Sequence, residues 1–179
     1  MLDPVIAWSL RLALALLFVA AARHKLSDCR RFEATVRAYA LLPSAAAQLL
    51  ASFLPWVEFG IAIGLVLPFF HRVAAVAAAA LLSIYTLAIS ANIARGQREI
   101  DCGCFASSAK VPLSWGLVGR NLVLIICACL LGFPVGTRPF VWIDGVTLGM
   151  TLVTLSLLWA AGQRLARVGP ALRGLGGTR

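Results

Sequence analysis

The sequence predicts an all-α fold, a polytopic membrane bundle of about five transmembrane helices with one amphipathic helix after the first span. Three observations predict it. Of the 179 residues, 61% are hydrophobic and only 13% are charged, about half the charged share of an ordinary soluble domain. A soluble fold of this size could not hide so much apolar surface. The apolar residues gather in runs long enough to cross a bilayer, where each span must satisfy its own backbone hydrogen bonds. Barrel strands would need alternating polarity, and the runs show none. The formal net charge of +9 does not indicate a nucleic-acid partner. No nucleic-acid motif is present, and the basic residues stand in short blocks beside apolar runs, the usual pattern of charges that set topology.

The first span is expected over residues 5–22. Ala20-Ala21-Ala22 has the small residues of a signal-peptidase site, but no basic residue precedes the apolar run, so the helix is read as retained. Residues 27–42 form the amphipathic helix. Cys29, Phe32, Val36 and Tyr39 recur at helical spacing while Arg30, Arg31 and Arg37 fall on other faces, which suits a helix lying on the membrane surface or capping the bundle. Ser27 or Asp28 is its expected N-cap and Pro43 its end. Spans follow at 45–69 and 73–94, joined at His71-Arg72. The third span carries Ala74, Ala75 and the run Ala77, Ala78, Ala79, Ala80, so neighbouring helices can come close. A polar loop, 95–112, holds two cysteines. The fourth span, 113–133, opens after Pro112, and the fifth, 140–162, follows a turn rich in Gly and Pro. Residues 1–163 thus read as a single bundle, and 164–179 as a basic disordered tail. There is no internal repeat.

Cys102-Gly103-Cys104 is the strongest chemical signal. A disulfide between cysteines two apart closes a small ring, and the glycine between them tolerates the backbone this needs. Strained, exposed disulfides are the readily exchanged ones. Arg98 and Lys110 favour a thiolate in this loop, while Glu99 and Asp101 oppose it. Three readings stay open on the residues alone: ordinary loop cysteines, a soft-metal site for Cu(I) or Zn with Cys29 or His24 as further ligands, and a redox-active dithiol. Cys29, on the apolar face of its helix, is expected to point toward the bundle, as a relay thiol or a small buried hydrophobe. Cys127 and Cys129 lie about 200° apart around a helix and read as packing residues.

Three charges interrupt the apolar runs: Arg11, Glu58 and Arg120, the last beside Asn121. Ionised groups there are costly unless paired. Measured from the expected span ends, Arg11 and Glu58 both lie about 16 Å deep and are expected to pair. Arg120 lies about 10 Å deep. Together with Asn121 these residues form either a polar clamp or a pocket beneath the dithiol for a small polar or quinone-like group.

Several elements in this order make the chain resemble the MauE family of methylamine-utilisation membrane proteins, within the wider DoxX-like group. They are Ala-Ala-Arg-His-Lys-Leu at 21–26, Tyr39-Ala40-Leu41-Leu42-Pro43, Pro55-Trp56-Val57-Glu58, and Cys102-Gly103-Cys104-Phe105 ahead of Trp115 and Arg120-Asn121. After Phe105 such proteins often have glycine, and this chain has Ala106. The resemblance implies a protein of the bacterial inner membrane that helps mature methylamine dehydrogenase. The implied partners are that enzyme's disulfide-rich small subunit and a thioredoxin-like periplasmic protein. On this reading Cys102 attacks, Cys104 resolves and Cys29 exchanges with the pair. The layout also looks like vitamin K epoxide reductase-type enzymes, an analogy at the level of fold alone. The same resemblance is compatible with a non-catalytic maturation scaffold. One expectation conflicts with it. Twelve basic residues flank the cysteine side of the spans and two the other, which places the cysteines in the cytoplasm, whereas the implied role uses a dithiol facing the periplasm. Orientation therefore stays open.

Overall fold

The computed structural model describes residues 2–40, 43–97, 113–136, 141–154, 156–157 and 160. Cys102, Cys104, most of the loop around them and the C-terminal tail lie outside the described residues. The chain divides into two units, Met1–Arg138 and Pro139–Arg179.

The first unit holds five helices among the described residues: α1 (Pro4–Ser27), α2 (Cys29–Ala38), α3 (Ser44–Val66), α4 (His71–Ala94) and α5 (Trp115–Leu130). Three of them, α1, α3 and α4, are long and apolar enough to cross a membrane, and α5 is a shorter apolar helix. In the second unit a helix, α6, covers residues 142–154 and continues at 156–157. The protein is therefore a multi-pass membrane helix bundle.

Local chemistry sets most of the ends. The Asp3 carboxylate accepts from the Val5 amide at 2.8 Å, and Pro4 opens α1 where its missing N–H costs nothing. Asp28 breaks the chain between α1 and α2 and caps α2 by accepting from the Arg31 amide at 3.1 Å, as the sequence led us to expect. α4 stops in a Schellman turn: Gly96, at φ 78, donates to the Ile93 carbonyl and Gln97 to the Asn92 carbonyl, each at 3.0 Å. Glycine suits that left-handed position because it has no Cβ. α6 begins with a reciprocal cap, in which the Asp144 carboxylate accepts from the Val141 amide at 2.9 Å and the Asp144 amide donates to the Val141 carbonyl at 2.8 Å. Hydroxyls inside the spans bond back to their own helix, as Ser83 does to Ala79 and Thr86 to Leu82, so lipid meets few unmet polar groups.

α1 packs along α3, α3 along α4 and α4 along α5, and the chain runs up and down in that order. Leu14, Ala15 and Phe18 of α1 meet Ile61, Ala62 and Leu65 of α3 and Ala74, Ala75 and Ala78 of α4 in the core. At the far end of α1 the chain is tied to the end of α5 by a short bridge, with Leu2 donating to Pro134 and Gly136 to Leu2. Large apolar side chains such as Phe53, Trp56, Phe69 and Val76 are exposed, the arrangement expected when the surrounding solvent is lipid.

α3 and α4 approach most closely where glycine meets alanine. A Cβ on Gly64 would lie 2.9 Å from the Ala74 Cβ, whereas one on Gly60 would meet nothing within 4 Å. Gly64→Leu should therefore force the two helices apart and cost about 1–3 kcal/mol. Gly60→Ala should be neutral or stabilise slightly through better helix propensity. Thermal unfolding in lipid or detergent checks the pair, and equal melting temperatures for the two variants would refute the close approach.

α2 behaves as an interfacial helix only in part. Phe32 is buried and Val36 and Tyr39 are half-buried, as the pattern predicts, and Arg30 and Arg31 are exposed. Cys29 is also exposed, which corrects the expectation that it points into the bundle. It stands at the first position of α2, where the chain has just turned at Asp28, and among the described residues its thiol donates to the Leu26 carbonyl at 3.4 Å. Cys127 is half-buried but Cys129 is exposed, so of the two only Cys127 contributes to packing.

Candidate functional site: a buried lysine, glutamate and tyrosine

Glu58 is fully buried in α3, in a helix that also carries Pro55. A lone carboxylate at that depth is untenable, so its partners define the site. They are Lys25 and Tyr85. The Lys25 ammonium donates to Glu58 Oε1 in a salt bridge whose side chains are 2% and 1% exposed. It also donates to the Tyr85 hydroxyl at 2.9 Å. The Tyr85 hydroxyl donates to the same Glu58 oxygen at 2.6 Å. One acid oxygen thus collects two charge-assisted bonds from two other helices, which makes the cluster both strong and geometrically specific.

Aromatic rings close around the cation. Lys25 Nζ lies 5.0 Å from the centre of the Phe32 ring and 4.8 Å from that of Tyr85, and ring faces attract a desolvated ammonium. Four helices therefore meet at one lysine: α1 supplies it, α2 covers it with Phe32, α3 neutralises it and α4 holds it.

The sequence reading pairs Glu58 with Arg11, and the structure corrects this. Arg11 is buried, with its guanidinium 5.1 Å from the centre of the Trp8 ring. Fourteen residues of α1 separate it from Lys25, about 21 Å along the helix. The depth estimate fails because α1 does not stop at Ala22 but runs through the Arg-His-Lys-Leu segment to Ser27. α3 in turn packs against α2 as well as α1. The register between α1 and α3 slides accordingly, and Glu58 comes level with Lys25.

Arg120 and Asn121, on α5, do reach the site. Both line a small cavity together with Lys25, Glu58, Tyr85 and Phe18. Arg120 donates to the Asn121 side-chain oxygen at 3.3 Å, and Asn121 is almost completely buried. Of the four residues proposed to form a polar pocket, Glu58, Arg120 and Asn121 come together and Arg11 stands apart.

Lys25 and Tyr85 are the residues the sequence reading missed. By sequence Lys25 falls among the basic residues that flank the first span. Its signal lay in spacing: Arg11, Leu14, Phe18, Ala21 and Lys25 follow at intervals of three and four, and all five are buried. Nothing in the sequence distinguishes Tyr85 from an ordinary packing aromatic.

A multi-pass bundle with a buried Lys–Glu–Tyr cluster on its helix interfaces is the class of protein these features define. The family model described as "Methylamine utilisation protein MauE" matches residues 3–134. Curated relatives agree, each named "Methylamine utilization protein MauE". That of Paracoccus denitrificans is 40% identical over 96% of this chain and 92% of its own. That of Methylorubrum extorquens is 38% identical over 91% and 88%, and that of Paracoccus versutus 45% identical over 70% and 68%. The chain belongs to the MauE family, and its role lies in methylamine utilisation. No solved structure matches it.

Proposed function

We propose that this protein is a thiol–disulfide redox protein of the bacterial inner membrane that assists maturation of methylamine dehydrogenase, with Cys102 and Cys104 as the exchanging pair. The observation that supports this reading most is the setting of Cys102-Gly103-Cys104 in the chain. Residues 98–112 connect the end of α4 to the start of α5, the same end of the bundle toward which the polar cluster lies. Tyr85 is nine residues from the end of α4, about 14 Å, and Asn121 six residues into α5, about 9 Å. Membership of a methylamine-utilisation family supplies the pathway.

In the exchange, the Cys102 thiolate attacks a disulfide of the partner and expels one partner thiolate. The Cys104 thiolate then attacks Cys102 Sγ in the mixed disulfide and expels the second. The pair loses two electrons and the partner's disulfide gains two. In the reverse direction the same mixed disulfide forms and the partner is oxidised. The proposed partner is a thioredoxin-like periplasmic protein, with the small subunit of methylamine dehydrogenase as the final substrate. Cys29, exposed at the α1–α2 junction, is a third thiol able to exchange with either.

A Cys104→Ser variant should trap the mixed disulfide on Cys102. The expected result is a covalent adduct with a thioredoxin-fold protein, seen on non-reducing gels and lost with reductant or with Cys102→Ser. Full maturation of the dehydrogenase with no adduct in any cysteine variant would reject the redox reading. Stoichiometric soft metal on the purified protein, lost with Cys102→Ser, would replace it.

A further inference from the structure

Arg11 is the buried charge that the Lys25–Glu58–Tyr85 cluster leaves unused. It is 7% exposed, and its Nε is sealed from solvent with no hydrogen-bond partner among the described residues. The Trp8 ring, 5.1 Å away, is the neighbour that meets its charge. An arginine cannot shed its proton to escape burial, and a ring face returns only a fraction of what a charge within a span costs. A second cation adds to that cost: Arg72, exposed in the first turn of α4, is close enough to repel Arg11. The acids described in the first unit are engaged elsewhere. Asp3 caps α1 and Asp28 caps α2, while Glu33 pairs with Arg37 and Glu58 with Lys25. Two neighbouring arginines thus stand without a carboxylate between them among the described residues.

We propose that Arg11 and Arg72 bind a phosphate group, that of an anionic phospholipid of the surrounding bilayer, at the end of the bundle where α4 begins. A guanidinium presents paired N–H donors that match phosphate oxygens. The start of α4 strengthens the field. Its N-cap, Phe70, makes no side-chain cap bond, so the first amides of the helix and the positive end of its dipole favour an anion there. The surroundings select a lipid over free phosphate. Phe69, Phe70, Val73 and Val76, beside Arg72, are all exposed, an apolar wall on which acyl chains lie while the headgroup meets the arginines. Arg11 stands seven residues into α1, about 10 Å along the helix, within the reach of a long side chain that snorkels toward the headgroups. An anionic headgroup fits better than a zwitterionic one, whose ammonium would meet two like charges. From Arg72 to the other end of α4 is about 33 Å. The site is therefore remote from the cysteine loop and stands whether or not Cys102 and Cys104 exchange disulfides.

Thermal unfolding of the full-length protein in a neutral detergent, titrated with phosphatidylglycerol, phosphatidylcholine or inorganic phosphate, tests the proposal. Phosphatidylglycerol at about a hundredfold its dissociation constant should raise the melting temperature by about 5–10 °C. Native mass spectrometry should show one such lipid retained per chain. Phosphatidylcholine should give less than about half that rise, and inorganic phosphate none. Arg11→Gln and Arg72→Gln should each remove most of the rise and the retained lipid. Arg72 is exposed, so Arg72→Gln keeps the test open should Arg11→Gln fail to fold. No rise with phosphatidylglycerol overturns the proposal, as does an equal rise with phosphatidylcholine or an undiminished one in either variant. A rise with inorganic phosphate that matches the lipid's would make the occupant a soluble anion and overturn it as well.

Discussion

Lys25→Met will destabilise the bundle by about 3–5 kcal/mol, because it leaves the Glu58 carboxylate buried without its cation. The melting temperature in detergent should fall by roughly 10 °C, and the amount of folded protein recovered from membranes should fall with it. The cost comes from the stranded acid and not from the lost attraction itself, and that distinction has a measurable consequence. Adding Glu58→Leu to Lys25→Met removes the stranded charge and should restore most of the stability, since a buried pair replaced by apolar groups is often neutral or better. Tyr85→Phe should fall between, costing about 1–3 kcal/mol for one donor removed from a charged acceptor. A Lys25→Met variant with the parent's melting temperature would mean that the salt bridge contributes nothing to the fold.

The double variant also separates architecture from chemistry. If Lys25 and Glu58 act only as a clamp, the restored protein should support methylamine utilisation. If the cluster also serves the protein's chemistry, the restored protein should be stable and deficient.

The sequence makes the fold class and the presence of an intramembrane acid legible for the same physical reason. Lipid tolerates neither unpaired backbone groups nor unpaired charges, so apolar runs and their interruptions stand out against composition. Glu58, Arg120 and Asn121 are visible on that ground, and two helices, α3 and α5, bring them to one cavity. Partner identity was not visible, because it depends on register. Treating every apolar run as flush with the membrane surface aligns Glu58 with Arg11. A helix that continues five residues beyond its most apolar stretch aligns it with Lys25 instead. Cys29 shows a further limit: helical periodicity assigns it to the apolar face, but the first residue of a helix lies where the chain has just changed direction, and the neighbouring elements decide what it meets.

Cys102→Ser combined with Cys104→Ser should abolish dehydrogenase maturation while leaving the bundle intact, the reverse of what Lys25→Met does to stability. Neither cysteine belongs to α1, α2, α3, α4 or α5, and these helices supply the salt bridge, the Gly64–Ala74 approach and nearly all of the core. The melting temperature should therefore stay within about 1 °C or 2 °C of the parent's, as for substitutions away from packed or paired groups. Growth on methylamine and the yield of active dehydrogenase should both drop to the level of a deletion strain, because a serine oxygen cannot form or resolve a mixed disulfide. Cys29→Ser alone should reduce maturation less, since the exposed thiol at the α1–α2 junction serves exchange without being a member of the pair. A double serine variant that is stable and still matures the enzyme would show that the protein works as a scaffold, and the thiol chemistry would then have to be abandoned.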